Sequence, residues 1–140
     1  MRRTTHSYFA DSAGSSGLEF ALVLPATVIL LLAVINLSLL VYATVGLHWS
    51  VEQAARCAAI SQKNTSLSCQ HPSNTQSYAL SAYKGPNIGL STASFTAANG
   101  TNCRMVSASG SYAIRTGFVN LNVPISAQAC FPADTSTPWT

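Results

Sequence analysis

The sequence predicts an α+β protein: a long amino-terminal transmembrane helix that continues into a small head holding a short helix and an antiparallel β-sheet. Three observations lead there. No charged residue occurs from Phe20 to Val51, a run whose densest part reads "LPATVILLLAVINLSLLVYATVGL". Only 8% of the 140 residues are charged, against 48% hydrophobic, about a third of the charge of an ordinary soluble domain. Near the carboxyl end, two runs alternate apolar and polar residues with a period of two, the pattern of half-buried strands.

Residues 20–47 would form a helix of roughly 42 Å, longer than the roughly 30 Å hydrocarbon core of a bilayer. A secretory signal peptide has an apolar stretch of about 7 to 15 residues followed by a small-x-small cleavage site. This run is longer and passes directly into "YATVGLHWSVEQ", so a retained span is expected. Arg2 and Arg3 precede it, and basic residues beside a span stay on the cytoplasmic side. The amino terminus is therefore expected inside and the head outside. Tyr42 and Trp49, with His48, have the amphipathic character of residues at a membrane boundary. Pro25 withholds one backbone donor about two turns into the helix, where a kink is expected. Asn36 and Ser38 offer mid-span hydrogen bonds to neighbouring helices.

Beyond the span, "HWSVEQAARCAAISQ" keeps a helical period, with Val51, Ala55, Ala58 and Ala59 on one face and Glu52 and Arg56 as an i, i+4 pair on another. Ser50 and Gln53 also fit a capping box, which would break the helix near residue 49; the periodicity favours one helix to about Ile60. "QKNTSLSCQHPSNTQ" reads as a loop. A short helix is predicted over "NTQSYALSAYKG", with Asn74 as its cap and Gly85 and Pro86 as its stop. "STASFTA" reads as an edge strand. The two period-2 runs follow: "CRMVSASGSYAIRT" aligns Val106, Ala108, Gly110, Tyr112 and Ile114, and "FVNLNVPISAQACF" aligns Val119, Leu121, Val123, Ile125, Ala127 and Ala129. Gly117 supplies the turn between them. Pro124 removes a ladder donor and marks an edge strand or a bulge.

Cys57, Cys69, Cys103 and Cys130 all lie beyond the span, in an oxidising compartment for the orientation above. Four cysteines allow three pairings. Cys103 and Cys130 stand at nearly equal distances on either side of Gly117, a hint toward Cys103–Cys130 and hence Cys57–Cys69. Cys57, Cys69 and His71 as a zinc set lack the short paired spacing of common zinc sites. Two acids and two histidines beyond the span make a poor supply for acid–base chemistry, and no phosphate-binding loop or nucleophile elbow occurs. No enzyme activity and no cofactor are expected. The net charge is +3, and the seven Lys and Arg residues are scattered apart from Arg2 and Arg3, which excludes the basic stripe of a nucleic-acid binder.

"GSSGLEFALVLP" adds a more specific signal. Gly14, followed by Ser15 and then Glu19 at the head of an apolar run, resembles a type IV prepilin processing site. With the following "VEQAARCAAI", the stretch is similar to the TadE-like pseudopilins of tight-adherence (Flp-type) pili. The likeness covers about residues 10–62, and the tail loosely through "ISAQACFP".

The resemblance implies a cytoplasmic leader over residues 1–14, a mature chain beginning at Ser15, a long helix over 15–62 and a pilin-like head over 63–140. It implies that Glu19 acts in assembly by neutralising the new α-amino group of a neighbouring subunit. Implied partners are a prepilin peptidase, other pilins and pseudopilins through the helix, the inner-membrane assembly platform and membrane lipid. Phe20, where major Flp pilins typically carry tyrosine, and the greater chain length fit a minor pseudopilin acting at the initiation or tip of the pilus. The alternative is a single-span periplasmic binding protein that keeps its leader.

Overall fold

The computed structural model describes residues 13–61, 69–116, 119–134 and 139. The leader up to residue 12, the segment 62–68 and the Gly117 turn lie outside the described residues. The chain divides into two units, Met1–Ile35 and Asn36–Thr140.

In the first unit the described residues form one element, the start of α1 (Ala13–Ser61). The helix continues through Pro25, and Thr27 Oγ1 donates to the Leu24 carbonyl at 2.8 Å. Such a bond satisfies a hydroxyl within its own helix, which suits an apolar environment.

The second unit holds the rest of α1, then α2 (Pro72–Ala82), a 3-10 turn (Thr92–Ser94), β1 (Phe95–Gly100), β2 (Cys103–Thr116) and β3 (Val119–Pro132). The strands form an antiparallel meander in the order β1-β2-β3. Its core draws Leu47, Val51 and Ala54 from α1, Ala79 from α2, and Phe95 and Val106 from the sheet, all completely buried. Ala43, Ala55 and Ala58 extend the buried face of α1. A face built so largely of alanine lets other backbones approach closely at little cost in helix propensity. The helix does not break at residue 49: Ser50 is buried and its Oγ donates back to the Leu47 carbonyl at 2.8 Å, so it does not cap a new helix.

The second helix begins earlier than its sequence suggests. Its cap is His71, in an extended conformation, and Pro72 occupies the first turn; Asn74 lies inside the helix. Proline is preorganised for the first helical position, where its missing donor would be unpaired anyway. Thr75 and Ala79 form the buried face of α2.

Strand β1 also lies later than the "STASFTA" reading, because residues 92–94 take the 3-10 turn. It ends at a two-residue hairpin in which Asn102 adopts φ 58°, a left-handed conformation that asparagine tolerates better than most residues. Along β2, Val106, Ala108 and Tyr112 are buried while Ser109, Ser111 and Ala113 are exposed, as alternation requires. On β3, Ile125 and Ala127 are buried, but Leu121 is 53% exposed. It pairs with Ile114 toward the hairpin end, past the six residues of β2 that β1 pairs. Pro124 lies on β3, which is an edge strand.

Two disulfides close the head, Cys57–Cys69 and Cys103–Cys130, each with Cα atoms 5.7 Å apart. The second runs diagonally: Cys103 registers with Pro132 and Cys130 with Met105. The ladder pairs Thr116 with Val119, which places Pro132 directly opposite Cys103, two positions past Cys130.

Candidate functional site

The sequence-predicted site residues fall on α1. Gly14 and Ser15 lie in its first turn and Glu19 follows about one turn later; Glu19 is exposed. From Phe20 to Ile35 every residue is exposed, including Leu22, Ile29, Leu31 and Ile35. Leaving so much apolar surface in water forfeits about 25 cal/mol per Å², and soluble monomers rarely expose apolar patches beyond a few hundred Å². The helix is long and apolar enough to cross a membrane, with none of its most apolar window buried. Asn36 and Ser38, expected to reach neighbouring helices, each have a partner within the structure.

In the second unit α1 becomes two-sided. Ala43, Leu47 and Val51 enter the core while Val41, Tyr42, Val45 and Trp49 stay exposed. The segment after α2 closes against the covered side. Tyr42 Oη donates to the Lys84 carbonyl at 2.9 Å, and a side chain at Gly46 would crowd Tyr83 and Gly85. Tyr83 folds over Gly85, where any Cβ would overlap its ring and hydroxyl, and donates to the Pro86 carbonyl at 2.8 Å. Burial, followed by the neighbouring Tyr42, raises the Tyr83 pKa above its ordinary value.

Two knots hold the head's other end. The Cys69 carbonyl accepts from Ser61 Oγ at 3.0 Å and Thr75 Oγ1 at 3.2 Å, joining the end of α1 to the start of α2 beside the Cys57–Cys69 bridge. On the sheet, Arg104 is 2% exposed. Its Nη1 donates to Asn99 Oδ1, and its guanidinium stacks 4.1 Å from the ring centroid of Trp139. Burial lowers its pKa from the ordinary value. Arg56 lies over the Phe131 ring at 5.7 Å, within cation–π range. Sequence reasoning missed Arg104 as a buried group, although it shares the parity of Val106 and Ala108.

An open groove of about 540 Å³ is lined by His48, Ser94, Thr96, Ser107, Ser126 and Gln128, among others. Its lining holds one imidazole and no carboxylate, so it lacks the oriented base needed to activate a serine. Cys57 and Cys69, the sulfurs of the weighed zinc set, are bonded to each other. Among the described residues no group of His, Cys, Asp and Glu could hold a metal ion.

These features define a class: a chain with, among its described residues, one candidate membrane helix and a disulfide-tied α+β head. Residues 14–56 match the family model described as TadE-like protein, so a TadE-like domain is identified over this part of the chain. The match begins at Gly14, takes in the apolar helix and stops short of α2 and the sheet. No curated protein and no solved structure matches the chain. The family match and the apolar helix are consistent with a TadE-like assembly protein, a minor pseudopilin.

Proposed function

We propose that the chain is a minor pseudopilin acting in assembly, at the initiation or tip of a tight-adherence pilus. A prepilin peptidase removes residues 1–14, and Ser15 becomes the mature amino terminus. One observation carries the reading: the TadE-like match starts at Gly14, and five residues on, Glu19 stands at the mouth of an apolar run whose residues 20–35 are all exposed. A carboxylate there is costly unless it is paired. The α-amino group created on a neighbouring subunit supplies the opposite charge, and a buried pair of this kind fixes register more than it adds stability.

The burial pattern supports a shorter span than residues 20–47, because Ala43 and Leu47 belong to the head's core. Residues 20–39, about 30 Å of helix, match the hydrocarbon thickness. The amino terminus is cytoplasmic and the head periplasmic, where both disulfides are stable. Partners are the peptidase, other pilins and pseudopilins along α1, and the inner-membrane assembly platform.

Glu19→Ala tests the assignment. Processing is expected to stay normal while surface piliation is lost. Unchanged piliation with a stable Glu19→Ala protein would remove the pairing role, and the alternative of an anchored binding protein would gain.

A further inference from the structure

The apolar surface of α1 does not end where the head begins. Leu37, Val41, Val45 and Trp49 follow one another at i, i+4 spacing and are 62%, 54%, 60% and 57% exposed. Residues this far apart stack along one helix face. The row runs about 18 Å along the axis, and the next exposed positions, Glu52 and Arg56, are charged. The opposite face over the same length is committed to the core through Ala43, Leu47 and Val51.

We propose that this face is a lipid-docking surface, with the headgroup layer of the outer leaflet as its occupant. The head would be seated against the membrane on one side of α1, with Lys84 contributing from the head. The inference rests on the membrane-anchoring reading and adds to it which residues of the head meet lipid.

Four observations support a bilayer as the occupant. The row lies on α1, the same helix that carries the proposed span. The hydroxyls beside it are satisfied within the protein: Thr44 Oγ1 donates to the Val41 carbonyl at 2.8 Å and Tyr42 Oη to the Lys84 carbonyl at 2.9 Å, which removes the penalty for carrying them toward low dielectric. Trp49 ends the row, and tryptophan concentrates at headgroup level. Helical side chains lean back toward the amino terminus, so the indole covers surface near the level of Val45, about 9 Å beyond residue 39, where the span proposed above ends. That level is at the outer rim of a headgroup layer of roughly 5 to 7 Å, within the reach of the indole ring. Finally, the Tyr42 bond fixes the backbone of Lys84 at this level, and the Lys84 side chain is exposed. A lysine there can extend its ammonium to lipid phosphate while its stem covers apolar surface.

The test uses the full-length chain in phosphatidylcholine vesicles. The sequence has two tryptophans, Trp49 and Trp139, so Trp139→Phe isolates Trp49; a difference spectrum between the wild type and Trp49→Phe gives the same signal without altering the Arg104 stack. Lipids brominated at different depths are compared with aqueous acrylamide as quenchers. The expected result is a blue-shifted Trp49 emission, quenched by the shallowest bromines about twofold or more over the deepest, with weak acrylamide quenching. Strong acrylamide quenching with no response to bromolipid would overturn the proposal. So would a blue-shifted signal insensitive to bromine that grows with protein-to-lipid ratio, which would assign the face to a second helix. Alkaline extraction of the same vesicles separates the two readings. A chain released by carbonate would sink the anchoring itself, whereas a retained chain with a water-exposed Trp49 would sink this inference alone.

Discussion

Replacing Cys103 and Cys130 together by alanine perturbs the head in a way whose size follows from the chain path. The bridge spans a sequence separation of 27. In the loop-closure treatment, releasing a loop of that length restores about 3.5 kcal/mol of conformational freedom to the unfolded chain at 25 °C. The cavity contribution is small, because Cys103 is half-buried and Cys130 exposed, so the lost sulfur atoms leave almost no void. For a head of this size, about 3.5 kcal/mol corresponds to a fall in Tm of about 15 to 25 °C. The assay is thermal and urea unfolding of the full chain in detergent, followed by circular dichroism in the β-sheet region and compared with the oxidised parent. A fall of less than about 1 kcal/mol would refute the reasoning. It would mean that the long β2–β3 ladder already restricts the unfolded ensemble, or that the two cysteines are not joined. The Cys57–Cys69 bridge is a less clean test: Cys69 is fully buried and its carbonyl receives two hydroxyls, so its removal mixes a cavity with the loop term.

Other expectations follow from the same packing. Phe95→Ala empties a completely buried position between α2 and β2, and should cost about 3 to 5 kcal/mol in the same unfolding assay; a cost below about 1 kcal/mol would show that Phe95 is not packed as described. The Tyr83 hydroxyl, its pKa raised above the ordinary 10.0, holds its proton more tightly in the folded head than in the unfolded chain. Its contribution is complete below pH 10 and is lost as pH rises through the higher folded value. Stability should therefore fall more steeply at alkaline pH in the parent than in Tyr83→Phe, and identical alkaline limbs would contradict the burial assigned to this group.

Long-range regularities carried most of the legible information. An uncharged run from Phe20 to Val51 admits few structures besides a long helix, and the period-2 alternation from Cys103 onward could be satisfied only by two strands sharing a buried face. Local boundary signals were weaker guides. Pro72 looked like loop material, yet its fixed φ makes it a good first residue for α2. The "STASFTA" stretch has β-forming residues throughout, but the exchange of bonds between Ser91 and Ser94 draws its middle into a 3-10 turn and delays β1 to Phe95.

The burial of Arg104 was encoded in parity with Val106, but charge argued against it. What makes it tolerable is Asn99 across the hairpin and Trp139 near the far end of the chain, partners that only the folded register brings together. On α1, hydropathy could not show where the span gives way to the head, because Leu47 and Val45 are equally apolar. One is buried in the head's core and the other remains exposed, and that distinction is a tertiary fact.

The most direct test of the central claim is the amino-terminal sequence and intact mass of the protein recovered from its native membrane. Prepilin-type processing predicts a chain that begins at Ser15, with residues 1–14 removed. A chain that still begins at Met1 would contradict the pseudopilin account, leave Glu19 without a neighbouring α-amino group to pair with, and reduce α1 to a plain anchor for the head.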